Sequence, residues 1–285
     1  MIITNKHNLP EPIYRAISQV WKPNPDTLSV TALISPPIIK LLTMQFWDQL
    51  TEDASDRLWA LLGQGLHYVL AKFAGGEMLS EEKLMAEVFH VPIKGRPDLY
   101  ANQTVEDYKI TSVFSFLLGE KQEWENQLNV YAWLFRKVGF LVNALRINAI
   151  LRDWMKSKAM FDAEYPQIPF YTVPVKLWTP ERSQAYVEER VTLHKMFPMT
   201  PCTPEERWQK PTTWAVKKAG GDRALRGGVQ DSEKAAQKFM TEYLDKKENK
   251  KAKLEIEYRP GGFTKCEEYC IVADHCPIFH PELKK

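Results

Sequence analysis

Two acidic residues in consecutive β-rich segments are the feature that most restricts how this chain can fold. The stretch "GRPDLYANQTVEDYKIT" (95–111) ends one apolar segment at Asp98 and carries Asp107 in the middle of the next, with Lys109 two residues later. Side chains alternate between the two faces of a strand, so Asp107 and Lys109 are predicted to share one face and Glu106 to occupy the other. If the segments are adjacent strands, Asp98 lies beside Asp107.

Two neighbouring carboxylates repel each other and raise a pKa unless a cation lies between them. Oxygen ligands at close quarters suit hard divalent ions such as Mg²⁺ or Mn²⁺. The amine of Lys109 could hold a water molecule or stabilise charge that develops on a phosphate. Asp98, Asp107 and Lys109 are therefore candidate catalytic residues for metal-assisted phosphodiester hydrolysis. The same residues also fit a pair of surface strands whose acids face solvent.

Composition restricts the class of protein only loosely. The chain has 285 residues, of which 44% are hydrophobic and 26% are charged, as in ordinary globular proteins. Its net charge of +2 neither requires nor excludes a nucleic-acid partner. No apolar run approaches the roughly 20 residues of a membrane-spanning helix, and the N-terminus lacks the apolar core of a signal peptide. We expect a cytoplasmic protein whose cysteines are thiols or metal ligands rather than disulfides.

Periodicity and composition predict two modules. Apolar residues at helical spacing predict helices at 35–50, 56–74, 120–139 and 180–197. Short β-rich segments predict an antiparallel meander from "AEVFHVPI", "GRPDLYA" and "QTVEDYKIT", and further strands at 141–151 and 170–178. A proline- and threonine-rich stretch at 198–213 predicts a boundary between residues 1–197 and 198–285. In the second module, 214–244 predicts a hairpin followed by a helix, and the charged run 245–253 predicts a solvated loop.

Further motifs accompany the two aspartates in a fixed order. "GQGLH" (63–67) precedes them, Pro97-Asp98 and Asp107-Tyr108-Lys109 follow, and "QLNVY" (127–131) comes last. This series resembles the PD-(D/E)XK nuclease superfamily, in the RecB-type branch that includes CRISPR-associated and phage exonucleases. The resemblance covers about residues 29–197. It implies an α/β fold with a restriction-endonuclease-like core, in which helices flank a central mixed sheet.

The resemblance also implies roles for single residues. His67 becomes a Mg²⁺ or Mn²⁺ ligand through a ring nitrogen, together with Asp98 and Asp107, although a lone histidine in mid-helix is also commonly a packed core residue. Gln127 and Tyr131 lie one helical turn apart and become hydrogen-bond donors to a DNA phosphate. The alternative is a packed amphipathic pair.

Glu87 is a candidate supporting residue at the start of the predicted meander. It could support the metal or orient Lys109. An exposed carboxylate at the end of a strand is the alternative for this position.

The four cysteines form a second constellation. "CEEYCIVADHC" places Cys266, Cys270 and Cys276 close together, and Cys202 lies 64 positions before Cys266. Four thiolates can hold tetrahedral zinc or an iron–sulfur cluster. Structural zinc sites usually use two close cysteine pairs, which are absent here. Three cysteines on so short a segment do not complete a four-ligand site, so Cys202 is predicted to fold back beside them.

The spacing of the cysteines resembles the iron–sulfur nucleases of the RecB-type branch, which implies a [4Fe–4S] cluster. Zinc and free thiols remain alternatives. The chain departs from that pattern because CRISPR-associated members place their lone cysteine before the first core helix. The corresponding segment here, "SVTALISPP", has no cysteine. The predicted C-terminal module is therefore a cysteine-rich cluster module. Its cluster could stabilise that module only, without attaching it to the nuclease core.

Taken together, the motifs predict a metal-dependent DNA nuclease. An exonuclease that acts on DNA ends is favoured over a sequence-specific endonuclease, because no separate base-reading domain is apparent. The resemblance implies a phage-encoded protein in the cytoplasm of a bacterial host, with a role in recombination, repair or replication and possible protein partners there. The alternative is a non-catalytic DNA-binding or assembly protein that uses the same fold as a scaffold.

Overall fold

A computed structural model describes residues 1–117, 122–246 and 249–284. The chain divides into two compact units, Met1–Thr200 and Pro201–Lys285, which we call unit 1 and unit 2. The predicted module boundary at residues 197 and 198 lies close to this division. Within the described residues, no helix combines the length and the apolarity needed to cross a bilayer.

Helices occupy both units. They are α1 Glu11–Ile17, α2 Val30–Ile34, α3 Pro37–Gln45, α4 Leu58–Phe73, α5 Val113–Leu117, α6 Gln122–Lys137, α7 Lys156–Phe161, α8 Pro180–Met196 and α9 Glu233–Leu244. Helix α6 has acidic residues in its first turn and basic residues in its last, which complements the helix dipole. The predicted helix at 120–139 corresponds to α6, although residues 120 and 121 lie outside the described part of the chain.

The strands form small sheets. They are β1 Ile2–Thr4, β2 Leu28–Ser29, β3 Thr51–Asp53, β4 Leu84–Val88, β5 Val91–Gly95, β6 Leu99–Ala101, β7 Thr104–Thr111, β8 Ala144–Leu151, β9 Phe170–Val175, β10 Gln209–Lys210, β11 Thr213–Lys218, β12 Ala224–Gln230, β13 Leu254–Arg259 and β14 Gly262–Phe263. Unit 1 contains a four-stranded sheet of order β6-β7-β8-β9, a three-stranded sheet of order β2-β5-β4, and the parallel pair β1-β3.

The four-stranded sheet is mixed, as predicted. Strands β6 and β7 are antiparallel, β7 and β8 are parallel, and β8 and β9 are antiparallel. Helix α4 contacts β7 and helix α5 contacts β8, while α6 contacts β7, β8 and β9 as well as α2 and α8. Unit 1 is therefore an α/β structure in which helices flank a mixed sheet.

Helix α6 forms the centre of the unit 1 core. Most of its residues are buried, including the polar Asn129. Asn129 is fully satisfied: its amide donates to the carbonyls of Glu125 and Lys176, both at 2.9 Å, and its Oδ1 accepts from the backbone N of Trp178 at 2.8 Å. A buried polar group with all its partners fixes one packing arrangement, so this residue sets the position of α6 relative to the chain after β9.

The predicted continuous meander is wrong, because β5 pairs with β2 and β4, and β6 pairs with β7. "AEVFHVPI" is not one strand but a hairpin, which turns at Phe89 and His90, with φ of 51° and 60°. The second hairpin turns at Asn102 and Gln103, with φ of 48° and 59°. Between β5 and β6 lies Pro97, which has no backbone N–H to donate and interrupts the pairing.

Unit 2 contains an antiparallel sheet of order β12-β11-β13, against which α9 packs. Ser232 caps α9 by accepting from the backbone N of Ala235 at 3.3 Å. The predicted hairpin and helix at 214–244 are present, but strand Leu254–Arg259 completes their sheet beside β11. The alternation in "LEIEYR" could have predicted this strand. Residues 247 and 248 of the predicted charged loop lie outside the described residues.

Candidate functional site

Three side chains of unit 1 that can bind a metal ion meet at one point. The Nδ1 atom of His67, on α4, lies 3.1 Å from Oδ1 of Asp98 and 3.6 Å from Oε1 of Glu81. One ligand atom from each of the three lies within 4.8 Å of the other two, and among the described residues this is the one group of its kind. We call His67, Glu81, Asp98 and the adjacent Asp107 the carboxylate cluster.

The chain positions Glu81 by running residues 79–81 alongside residues 97–100. Leu79 and Tyr100 exchange two backbone hydrogen bonds, of 2.9 and 2.7 Å. The hydroxyl of Ser80 donates to the carbonyl of Asp98 at 2.8 Å, and the backbone N of Glu81 donates to the carbonyl of Pro97 at 3.1 Å. Glu81 has φ of 56°, a left-handed conformation that is uncommon for a residue other than glycine. These bonds hold its side chain at the cluster.

The buried carboxylate of Asp107 lies beside the amine of Lys109, two residues further along β7. Lys109 Nζ is 2.8 Å from Asp107 Oδ2 and donates to Gln127 Oε1 at 3.0 Å. The side chain of Gln127 also hydrogen-bonds to the hydroxyl of Tyr131, whose pKa burial raises. A continuous polar chain therefore runs from Asp107 on β7 to Tyr131 on α6.

Asp107 is only 2% exposed. Its ion pair with Lys109 does not have the angles of a hydrogen bond, and Oδ2 is one of two buried side-chain oxygens in the described residues without a hydrogen-bond partner. Burial raises the pKa of Asp107 to about 6, Lys109 opposes this rise, and the charge of Asp98 adds to it. A buried carboxylate beside the charge of Asp98, with one amine to offset both, favours binding of a further cation.

The other members of the cluster are also poised to bind a cation. The Oδ2 atom of Asp98 accepts from the backbone N of Tyr108 at 2.7 Å, which fixes the carboxylate. The hydrogen bond to Asp98 raises the pKa of His67, although burial opposes this. Burial, and then the charge of Asp98, raises the pKa of Glu81. One nitrogen and several carboxylate oxygens form a donor set that fits Mg²⁺ or Mn²⁺.

The structure brings together most of the residues that the sequence predicted for the site. His67, Asp98, Asp107 and Lys109 are in this cluster or in direct contact with it, and Gln127 contacts Lys109. Tyr131 is buried and follows Gln127 at the next turn of α6. Their catalytic and DNA-binding roles remain predictions.

Glu87, the predicted supporting carboxylate, lies elsewhere. Its exposed side chain is 3.3 Å from Nδ1 of His90, which lies in the turn between β4 and β5. The additional carboxylate of the cluster is Glu81, which sequence reasoning missed because it lies among several acids in an irregular segment. Glu106 does point away from Asp107 as predicted, since it accepts from the side-chain amide of Asn148 at 2.6 Å.

The four cysteines lie in unit 2, on segments outside its three-stranded sheet. Cys266 belongs to a π-helical segment, Lys265–Tyr269, and Cys276 follows a 3₁₀ turn, Ala273–His275. All four are half-buried and none forms a disulfide. Burial raises the pKa of Cys202 to about 12, and Glu206 and the three other cysteines raise it as well. Cys202 is therefore near enough to the other three for their charges to affect its pKa.

The spacing of the sulfur atoms distinguishes between two kinds of metal site. No three of the four sulfurs lie within 4.8 Å of one another. Tetrahedral zinc, with Zn–S bonds of about 2.3 Å, holds its sulfurs roughly 3.8 Å apart. A [4Fe–4S] cluster binds each cysteine to a different iron and holds the sulfurs further apart. At this spacing, no three of the sulfurs could bind one zinc ion together. Nε of Arg207 donates to Sγ of Cys266 at 3.4 Å.

Comparisons with known proteins give partial likenesses in fold. No protein-family model matches the chain, and no curated protein matches it. Among solved structures, it is similar to SSO0001, with a TM-score of 0.46 and 19% identity over 69% of this chain and 87% of the other.

Two solved exonucleases are also similar to it. A phage-related exonuclease from Haemophilus somnus 129PT has a TM-score of 0.39 and 12% identity, over 60% of this chain and 93% of the other. An alkaline exonuclease, LHK-Exo, from Laribacter hongkongensis has a TM-score of 0.42 and 6% identity, over 66% and 94%. At these levels of likeness, the interpretation of the site depends on its side-chain geometry.

Proposed function

We propose that this protein is a metal-dependent nuclease that hydrolyses DNA phosphodiester bonds and acts as an exonuclease on DNA ends. The observation that carries the proposal is the buried Asp107, whose Oδ2 is ion-paired with Lys109, beside the group of His67, Glu81 and Asp98. A cation-binding group next to a held amine is the equipment that phosphodiester hydrolysis requires. Burying so many ionisable groups together lowers stability, and such groups cluster at functional sites.

The four members of the carboxylate cluster would hold Mg²⁺ or Mn²⁺. When bound, such an ion supplies activation of water and neutralises charge on the phosphate. Asp98 is preorganised for this role by the hydrogen bond from Tyr108, and Glu81 by the bonds along residues 79–81. Preorganised ligands favour binding because little side-chain entropy is lost when the ion arrives.

Lys109 would act on the substrate from the same position. Asp107 and Gln127 hold its Nζ by contacts of 2.8 and 3.0 Å, which fixes the direction of its remaining protons. A protonated amine held in this way can donate to the attacking water or to a phosphate oxygen as negative charge develops. Gln127 and Tyr131 would contact the DNA backbone, which positions the strand without reading its sequence.

Hydrolysis of end-labelled DNA by the full chain tests this function. The wild type is expected to degrade DNA from its ends with Mg²⁺ or Mn²⁺ and to leave it intact in EDTA. Asp107→Ala should lower the rate on the order of 10³-fold, because it removes a buried ligand and the partner of Lys109. Asp48→Ala, at an exposed aspartate of the same unit, is the matched control and should behave as the wild type.

Full metal-dependent activity of Asp107→Ala would remove the basis for the catalytic assignment. DNA binding by the wild type without hydrolysis in either metal would indicate a scaffold protein instead. Cleavage of covalently closed circular DNA would identify an endonuclease.

We further propose that unit 2 binds a [4Fe–4S] cluster through Cys202, Cys266, Cys270 and Cys276. The proposal is supported by the four thiols in one small unit, which is the ligand set of such a cluster, while no three of their sulfurs lie close enough to share one zinc ion. Protein purified without oxygen should be brown, with about four irons and four sulfides per chain as this cluster type requires. Colourless protein with one zinc per chain would reject the cluster, and protein with neither metal would leave the cysteines as free thiols.

The biological setting follows from the proposed activity. An exonuclease on DNA ends suits phage or prophage recombination, repair or replication inside the bacterial cytoplasm. Its substrate would be DNA, with partners among the proteins of those processes.

A further inference from the structure

A pocket of about 710 Å³ in unit 1 lies next to the carboxylate cluster. Its floor is apolar and consists of Val30, Leu84 and Tyr131, all buried, together with Gly95. A Cβ atom on Gly95 would lie 2.5 Å from Leu134 and 3.0 Å from both Tyr131 and Val30. The glycine therefore lets the floor pack closely beneath the pocket. We call this cavity and its rim the basic pocket.

The rim of the basic pocket carries three cations, Lys83, Lys94 and Arg96. Lys94 lies in the middle of the β2-β5-β4 sheet, in register with Ser29 on one neighbouring strand and Met85 on the other. Within the described residues, neither Lys83 nor Lys94 forms an ion pair. Amines without a protein partner at the edge of a pocket are suited to an anionic ligand.

Two contacts join the basic pocket to the candidate catalytic residues. Nε of Arg96, on the rim, lies 3.9 Å from Oε2 of Glu81 in the carboxylate cluster. Tyr131, in the floor, hydrogen-bonds to Gln127, which accepts from Lys109. A ligand in the basic pocket is thus a neighbour of whatever occupies the catalytic site.

We propose that the basic pocket binds one unpaired nucleotide of the DNA strand, adjacent to the phosphate that is cleaved. The base would lie on the apolar floor and a phosphate would lie at the rim of Lys83, Lys94 and Arg96. This inference rests on the proposed nuclease function. An apolar and aromatic floor accepts any base, while the cations track the backbone, so recognition is independent of sequence.

The pocket has a consequence for the substrate. A base can enter the floor only when it is unstacked from its neighbours and unpaired from a complementary strand, which costs energy in a blunt duplex. The protein is therefore expected to bind single-stranded DNA or frayed ends more tightly than blunt duplex ends of equal length.

Binding of short single-stranded oligonucleotides in EDTA tests the pocket without hydrolysis. Each oligonucleotide carries the fluorescent base 2-aminopurine at one position, and its emission and anisotropy are followed as protein is added. For the wild type, emission should change strongly at one position and little elsewhere. The double variant Lys83→Ala/Lys94→Ala should bind about tenfold or more weakly, because it removes two backbone contacts.

Two further variants separate pocket binding from general attraction by charge. Lys22→Ala/Lys156→Ala removes the same charge from exposed positions of unit 1 outside the pocket and should weaken binding less than about threefold. Thr31→Trp, at an exposed position on the pocket lining, keeps all charges but fills the space. It should abolish the 2-aminopurine signal.

The inference is overturned if the two lysine pairs weaken binding equally, if no position of 2-aminopurine responds, or if blunt duplex binds as tightly as single strands. These outcomes are independent of the proposed activity. Wild-type hydrolysis that Asp107→Ala abolishes, with an insensitive pocket, would retain the nuclease and reject the pocket. If 2-aminopurine responds as expected but the protein hydrolyses no DNA, the pocket is retained and the nuclease is rejected.

Discussion

The carboxylate cluster and the cysteine group are both candidate metal sites, but different forces hold their ligands. In unit 1, Asp98 and Asp107 are buried at strands of a mixed sheet, and a backbone hydrogen bond fixes Asp98. In unit 2, Cys266 and Cys276 lie on or beside single turns of irregular helix, and they are half-buried. The first site is built on regular structure, and the second lies on segments with little regular structure of their own.

Core size explains the difference. The main hydrophobic core lies between Leu28 and Val191, wholly within unit 1. Among the described residues of unit 2, the buried hydrophobic side chains are few and mostly small: Ala215, Val216, Ala236 and Val272. A small unit with so little apolar burial commonly needs a metal or disulfides for stability. Unit 2 is therefore expected to need its metal in order to fold, whereas unit 1 is expected to keep its fold without metal, even though a bound ion would add to its stability.

The largest expected effect is loss of structure in unit 2 alone. Cys202→Ser removes one of four proposed thiolate ligands, and metal binding is coupled to folding where a core is lacking. Hydrogen exchange should show lost protection across residues 201–285, and the brown colour should disappear. Peptides from residues 1–200 of the same sample are the internal control and should keep their protection. Equal loss of protection in both units, or no loss in either, would show that the cysteine ligands do not stabilise unit 2 selectively.

A smaller effect is expected when one ligand of the carboxylate cluster is neutralised. Glu81→Gln should raise the Mg²⁺ concentration needed for half-maximal hydrolysis by roughly 10- to 100-fold, with exchange protection unchanged. Glu87→Gln makes the same chemical change at an exposed position and should match the wild type. A larger effect from Glu87→Gln than from Glu81→Gln would identify Glu87 as the supporting carboxylate, as the sequence predicted.

The contrast between Glu81 and the aspartates shows what the sequence can predict. Strand alternation predicts that Asp107 and Lys109 share one face, and pairing with the preceding segment predicts that Asp98 lies beside them. The position of Glu81 depends on hydrogen bonds from residues 79–81 to residues 97–100. Nothing in the local pattern favours it over Glu82, because tertiary pairing decides which acid turns inward.

The basic pocket and the strand pairing that forms it could not be predicted from the sequence, for a similar reason. Ser29 and Lys94 are neighbours across a parallel pair of strands, although they are far apart along the chain. The hairpin at Phe89 and His90 lacks the glycine or asparagine that usually marks such a turn. By contrast, the mixed sheet flanked by helices, which the resemblance implied, was predicted correctly.

A moderate effect on stability is expected from the packing under the basic pocket. Gly95→Ala places a Cβ against Leu134 and Tyr131, and overpacking of this kind costs about 1–3 kcal/mol of unfolding free energy. Gly63→Ala is the matched change on α4, where an added Cβ meets no atom within 4 Å. It should stabilise the helix by roughly 0.5–1 kcal/mol. Urea unfolding of unit 1, followed by exchange or tryptophan fluorescence, compares the two, and equal effects would contradict the close packing.

The smallest expected effect is a dependence of the stability of unit 1 on pH when metal is removed. Burial raises the pKa of Asp107 to about 6, so the folded protein holds this proton more tightly than the unfolded chain does. The resulting stabilisation is complete below the unfolded pKa of about 4 and is lost as pH rises through the folded pKa. His67 and Glu81, whose pKa values are also raised, act in the same direction.

Unfolding of the protein in EDTA, measured from pH 4 to pH 8, tests this dependence. Asp107→Asn should be more stable than the wild type at pH 8, on the order of 1–2 kcal/mol, and this advantage should shrink toward pH 4. Added Mg²⁺ should restore the unfolding free energy of the wild type at pH 8, because the ion replaces the lost protons. It should stabilise Asp107→Asn much less. If Asp107→Asn were the less stable protein at pH 8 without metal, Asp107 would be a structural partner of Lys109. The carboxylate cluster, like the proposed cysteine site, would then contribute to the stability of its unit.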